Sequence, residues 1–136
     1  MKFSISLLLI LCFAIPISVY SAGKASFELK KAQKTIEESE IFIMPVEIKN
    51  NNQPADIFRI NLKFDPKYLQ VESIELGTIF PNVSPGSSWS NEIGEIFYGG
   101  FRINGSTKES GNLLNITFKA VQAGQTAVSW LNGSMI

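Results

Sequence analysis

One stretch near the middle of the chain constrains its fold more than any other. Residues 57–71 read IFRINLKFDPKYLQV, and apolar side chains occupy every second position up to Phe64. This period-two alternation is typical of a β-strand with one buried face. The pattern stops at Asp65 and Pro66, which favour a turn, and it returns at Leu69. We therefore predict a strand that ends at a corner, with Leu69 reaching back into the core.

Similar alternation recurs along the chain, and no segment shows a convincing 3.6-residue helical period. We predict strands at residues 27–29, 42–48, 57–64, 69–76, 95–103, 113–120 and 126–131. The apolar phase changes inside 69–76, which predicts a β-bulge near Glu72 and Ser73. Antiparallel strands at this spacing, with turns between them, predict an all-β sandwich.

Two polar segments are interpreted as connections between strands. Residues 33–40, QKTIEESE, have the character of an exposed, charged turn. Residues 77–94 are rich in glycine, proline, serine and asparagine, so we predict a long loop with a short strand around Trp89.

The N-terminal residues differ from the rest. Lys2 is followed by an apolar run from Ile5 to about Val19 and then by small residues, which is the layout of a secretory signal peptide. The run is shorter than the roughly 20 apolar residues of a membrane-spanning helix. We predict a signal peptide at residues 1–22 and one domain at residues 25–136, secreted or located at the cell surface. An uncleaved N-terminal anchor is the alternative.

The composition argues against several kinds of site. The chain has no histidine, and its one cysteine, Cys12, lies in the predicted signal peptide. The mature domain therefore lacks the commonest general base and the commonest metal ligand. The 12 basic and 12 acidic residues of the full chain form no basic cluster, which disfavours nucleic acid and anionic membranes as partners. We predict no catalytic residues, metal site or cofactor, and no membrane insertion after the signal is removed.

Four motifs together resemble those of cohesin domains. They are MPVEIKN at 44–50, LKFDPKYLQVESIELG at 62–77, GEIFYGGF at 94–101 and GNLLNITFKAV at 111–121. The likeness extends over about residues 25–136 and implies a jelly-roll sandwich of nine antiparallel strands. This chain supplies about eight of them, so the domain is expected to be incomplete at its C-terminus. The strand at 27–29 would then be an exposed edge.

The resemblance also implies a partner. Cohesins bind dockerin modules, which are calcium-loaded helical pairs, through the outer face of one sheet. The corresponding strands are expected at 57–64, 95–103 and 126–131, with one near Trp89. The candidate partner-binding residues are Arg59, Asn61 and Lys63, which the alternation places outward. A plain solvated sheet face is the competing interpretation.

The sequence is also compatible with functions other than dockerin binding. A carbohydrate-binding module would use exposed aromatic rings, and Trp89, Tyr98 and Trp130 are its candidate residues, with Tyr68 as a further ring. A two-carboxylate glycosidase is disfavoured because the glutamates form a solvated run or lie on outward strand positions. A structural or adhesive surface module without a dockerin partner is the third possibility.

Overall fold

Two antiparallel sheets enclose the hydrophobic core in the computed structural model, which describes residues 24–136. The predicted signal peptide at 1–22 lies outside the described residues. The strands are β1 (Ser26–Leu29), β2 (Gln33–Ile36), β3 (Ile41–Lys49), β4 (Ile57–Lys63), β5 (Leu69–Leu76), β6 (Asn82–Val83), β7 (Ser88–Ser90), β8 (Glu95–Phe101), β9 (Gly111–Ala120), β10 (Gly124–Ala127) and β11 (Ser129–Trp130).

The first sheet has the strand order β1-β3-β9-β5, and the second has the order β11-β4-β8-β6. The short strand β7 also pairs with β8. Strands β2 and β10 form a separate two-stranded sheet. The all-β sandwich predicted from the alternation is confirmed.

The core lies between the two sheets because each long strand turns its alternate apolar residues to the same side. The inward residues of β4 begin with Phe58, and Phe64 follows the strand on the same side. Both phenylalanines are almost fully buried. The Phe58 ring meets Phe80 with 5.3 Å between centroids, and the Phe64 ring meets Phe118 at 5.5 Å, both edge-on. Aromatic pairs of this geometry stabilise a core beyond the area they bury.

The corner after β4 has the predicted geometry. The Asp65 carboxylate accepts a hydrogen bond from the Lys67 amide at 2.9 Å, and the Asp65 carbonyl accepts from the amides of Tyr68 and Leu69 at 3.0 Å. Leu69 is fully buried. The predicted bulge in β5 is also present, because the register against β9 shifts between Val71 and Ser73. The shift brings Leu69 and Ile74 to the same buried face.

Two predictions, one about a turn and one about a strand, were wrong. Residues 33–36 are not an exposed turn, since they form β2 and Ile36 is buried at 2% exposure. Residues 126–131 are not one strand, since the chain pairs first with β2 and then, from Ser129, with β4. In both cases the partner segment is far away in sequence, so local composition could not indicate the pairing.

Candidate functional site

The outer side of the second sheet is formed mainly by β4 and β8. The two strands pair without a break from Ile57↔Phe101 to Lys63↔Glu95. Alternate positions turn away from the core, and the outward residues define what we call the β4–β8 face. They are Ile57, Arg59, Asn61 and Lys63 on β4, and Glu95, Phe97, Gly99 and Phe101 on β8.

Asn61, one of the three predicted partner-binding residues, is not available to a partner. Its side chain is 8% exposed, because the segment after β11 folds over it. The Asn61 side-chain amide donates to the carbonyl of Asn132 at 3.0 Å, and the Ser134 hydroxyl accepts from the Asn61 main-chain amide at 2.9 Å. The expectation that this side chain reaches a partner is therefore corrected: Asn61 holds the C-terminal segment against β4.

Arg59 and Lys63 remain on the surface, as predicted from the alternation. Arg59 is half-buried, and its guanidinium donates to the carbonyl of Pro85 at 3.2 Å. Lys63 is exposed opposite Glu95. Within residues 24–136 neither cation lies within ion-pair distance of a carboxylate. Both positive charges are therefore free to meet an acidic group on another molecule.

Sequence reasoning missed the apolar part of this face. Phe97 is 37% exposed and Ile57 is 41% exposed, and the Phe101 side chain lies half-buried beside Ile57. Isolated exposed apolar residues need no explanation, but a group on one flat face is a feature of interaction sites. The signal was present in GEIFYGGF, which carries apolar residues on both faces of the strand.

A shallow depression of about 350 Å³ lies at the Ile57 end of the face. Its lining residues are Asp56, Ile57, Ser84, Pro85, Phe101 and Arg102. The Arg102 guanidinium is fixed there by a 2.8 Å hydrogen bond to the carbonyl of Ile79. The Ser84 hydroxyl is buried and has no hydrogen-bond partner among the described residues. The depression thus combines apolar walls with polar groups at its margin.

The two glycines of β8 are required by close packing. A side chain at Gly100 would lie 2.7 Å from the ring of Phe58 and 2.9 Å from the carbonyl of Phe80. A side chain at Gly99 would lie 2.5 Å from the carbonyl of Phe58. Ser84 would also lie 3.3 Å from such a side chain, and the Ser87 hydroxyl accepts a hydrogen bond from the Gly99 amide at 3.1 Å. Gly99 is therefore buried, and the loop with Ser84 and Ser87 covers the centre of the β4–β8 face.

The aromatic residues predicted for carbohydrate binding do not form one platform. Trp89 and Trp130 are 39% and 38% exposed, but they lie on opposite edges of the second sheet, on β7 and β11. The Trp130 ring stacks on the Phe27 ring with 5.6 Å between centroids, and this pair covers one edge of the sandwich. The Tyr98 ring lies 6.4 Å from the Trp89 ring, measured between centroids, but Tyr98 is only 8% exposed. Burial raises the pKa of the Tyr98 hydroxyl. Tyr68 packs against the core.

Other kinds of site are not evident in the described residues. Residues 24–136 contain no group of three or more Asp, Glu, His or Cys side chains placed to hold a metal ion. In the same range, no helix has the length and apolar character needed to cross a membrane.

A family comparison identifies the domain. The model of the cohesin domain family matches residues 26–135, which is almost the whole described chain. The chain belongs to the cohesin family. The resemblance inferred from the four sequence motifs is thereby confirmed. A comparison with curated proteins found no match to this cohesin.

Solved cohesin structures share the fold at low sequence identity. A type I cohesin–dockerin complex of OlpA from Clostridium thermocellum matches with a TM-score of 0.66 at 14% identity, over 82% of this chain and 83% of that chain. A type II cohesin from the cellulosome of Acetivibrio cellulolyticus matches with a TM-score of 0.64 at 19% identity, over 82% and 77%. The cohesin CaCohA2 from Clostridium acetobutylicum matches with a TM-score of 0.63 at 15% identity, over 83% and 77%. At these identities the likeness shows the jelly-roll sandwich of cohesins and nothing finer.

Proposed function

We propose that this cohesin is a non-catalytic, exported scaffolding module that binds a dockerin-type protein through the β4–β8 face. The proposal is supported by the combination, on one sheet surface, of exposed Phe97 and Ile57 with the cations Arg59 and Lys63, which form no ion pair within residues 24–136. Similar solved cohesins include domains bound to dockerins. Attachment of polysaccharide-degrading proteins is the biological role that such binding would serve.

The β4–β8 face is also ordered before a partner arrives. The outward side chains of β4 and β8 are held by seven consecutive strand pairs, so a partner meets a surface that is already formed. Binding to a pre-formed surface loses less conformational entropy than binding to a mobile loop. Exposed cations at this surface would also speed the approach of an acidic partner.

The test uses every dockerin module encoded in the same genome, each produced separately and loaded with calcium. Binding to the mature domain is measured for wild type, for Arg59→Ala with Lys63→Ala, and for the control Asn115→Ala with Lys119→Ala on the outer side of the first sheet. We expect the first variant to weaken binding about tenfold, equivalent to roughly 1.4 kcal/mol, and the control to bind as wild type. Equal weakening in both variants, or no binding by any module, would contradict the proposal.

Carbohydrate binding is the second candidate, because Trp89 and Trp130 each keep more than a third of their surface exposed. Pull-down on insoluble polysaccharides separates the two functions. Retention that is lost in Trp89→Ala but unchanged in the Arg59 and Lys63 variant would favour carbohydrate. An adhesive or structural role would give neither kind of binding.

A further inference from the structure

The C-terminal segment forms a small bulge over β4. The amide of Leu131 donates to the carbonyl of Asn61 at 2.8 Å, and Arg59 and Met135 exchange two main-chain hydrogen bonds, each 2.8 Å long. The four positions from Leu131 to Met135 therefore face only the two positions from Asn61 to Arg59. The surplus length is taken up by a bulge at residues 132–134.

The bulge contains an asparagine followed directly by a glycine. Asn132 and Gly133 are both exposed, and Gly133 has a φ of 95°, in the left-handed region that favours glycine. A side chain at position 133 would lie 2.8 Å from the side-chain nitrogen of Asn61. Because glycine has no side chain, the main-chain nitrogen that follows Asn132 is sterically open to the Asn132 side chain. Asparagine is among the thermolabile residues of proteins.

We propose that Asn132 is a site of spontaneous deamidation, and that its conversion to isoaspartate releases the C-terminal segment from β4. The main-chain nitrogen of Gly133 loses its proton to base and attacks Cγ of Asn132, which forms a C–N bond and closes a cyclic succinimide. The bond from Cγ to the side-chain nitrogen breaks, and that group takes up a proton and leaves as ammonia. Water then opens the ring. Attack at Cγ gives aspartate, and attack at the α-carbonyl gives isoaspartate with a free α-carboxylate.

The position of Asn132 determines what isoaspartate does to the fold. The Asn132 α-carbonyl is the group that accepts the hydrogen bond from the Asn61 side chain at 3.0 Å. In isoaspartate this carbonyl becomes a carboxylate beside the main chain, and the main chain gains a methylene between two points that are fixed on β4. The Ser134 hydroxyl, which accepts from the Asn61 amide at 2.9 Å, is displaced with it. We therefore expect the contacts of Leu131 and Met135 with β4 to open.

A second asparagine–glycine pair provides a reference within the same chain. Asn104 and Gly105 lie exposed in the loop between β8 and β9, and Gly105 has a φ of 89°. A side chain at Gly105 would meet no atom within 4 Å. The Gly105 carbonyl accepts from the Arg102 side chain at 3.2 Å, which is a contact inside the loop. Conversion at Asn104 should therefore leave the contacts of β4 unchanged.

The experiment incubates the protein without its predicted signal peptide in warm, mildly alkaline buffer, because base removes the Gly133 amide proton. Ion exchange separates the converted forms by their added negative charge, peptide mass spectrometry locates the conversion, and isoaspartyl methyltransferase labels isoaspartate. In the form that carries isoaspartate at position 132, the amides of Leu131 and Met135 should exchange hydrogen roughly tenfold faster, as expected from the loss of one or two hydrogen bonds.

Two glutamine variants separate the sites. Glutamine keeps the amide group, but its longer side chain closes a ring much more slowly, and the main-chain carbonyl that Asn61 binds is retained. Asn104→Gln should still convert at Asn132 and show the faster exchange, whereas Asn132→Gln should convert only at Asn104 and show none. Conversion of the wild type at Asn104 alone, or at neither residue, would overturn the assignment of the site. Isoaspartate at position 132 with unchanged exchange at Leu131 and Met135 would overturn the release of the segment.

Discussion

The side-chain amide of Asn61 donates a hydrogen bond to the main-chain carbonyl of Asn132, 71 positions later in the chain. The bond lies where the C-terminal segment leaves its pairing with β4 after Trp130 and returns to it at Met135. A residue whose sequence position suggested a contact with another protein therefore stabilises the domain itself.

Substitution of Asn61 tests this structural role. Asn61→Ala removes the bond to Asn132 and should lower the free energy of unfolding by about 1 kcal/mol, the usual net value of one hydrogen bond. Hydrogen exchange should accelerate at the amides of Leu131 and Met135, which bond to β4. Asn104→Ala in an exposed loop is the control and should change neither quantity. Unchanged exchange at Leu131 and Met135 would refute the structural role.

The corner after β4 should contribute to stability and not to binding. Leu69→Ala empties a fully buried position and should cost about 2 to 5 kcal/mol. Asp65→Ala removes the bond to the Lys67 amide and should cost about 1 kcal/mol, by analogy with a helix cap. Urea unfolding measures both, with the exposed Gln70→Ala as the control. A midpoint for Leu69→Ala equal to that of wild type would disprove the corner interpretation.

Gly100 should tolerate no side chain. The new methyl group of Gly100→Ala would press on the Phe58 ring and on the Phe80 carbonyl, so we expect a loss of about 1 to 3 kcal/mol from overpacking. Thermal unfolding measures the loss, and Ser88→Ala on the exposed edge strand β7 is the control. A variant as stable as wild type would mean that the core near Phe58 has room to adjust.

The turn after β2 should be sensitive to acid. The side-chain bond from Lys34, and then the bond from the Glu37 amide, hold the pKa of Glu40 below its usual value of 4.5. A carboxylate with a lowered pKa stabilises the fold above its unfolded pKa, and this contribution disappears as the pH falls through the folded pKa. Glu40→Gln should therefore be less stable than wild type at pH 7, and the difference should narrow as the pH falls below 4.5 toward the lower pKa of the folded state. Urea midpoints across this pH range provide the measurement, with Glu38→Gln as the control. A stability difference that does not narrow as the pH falls would show that the charge of Glu40 is not its cause.

The long strands and the corner could be predicted because their signals are local. Alternation across β4 fixed which residues are buried, and Asp65 with Pro66 indicated the turn beside them. The strand β2 could not be predicted, because QKTI is short and polar and becomes a strand only by pairing with β10. Local propensity gives little information about such a segment.

The candidate site was predicted only in part, because some of its features depend on residues that are distant in sequence. The outward positions of Arg59 and Lys63 follow from alternation alone. The burial of Asn61 depends on a segment that folds back from the far end of the chain, so its own neighbours carry no sign of it. The exposure of Phe97 depends on which face of β8 meets the core, and a strand with apolar residues on both faces leaves that question open.

The pairing of β2 with β10 joins residues 33–36 to residues 124–127. Closing so long a loop is entropically unfavourable before its contacts form, and topologies of this kind fold in roughly milliseconds to seconds. During synthesis β2 has no partner until residue 127 has emerged from the ribosome. If the chain is exported as proposed, this delay leaves residues 33–36 unpaired, so they can pass through a membrane channel as an extended segment before the β2–β10 sheet forms.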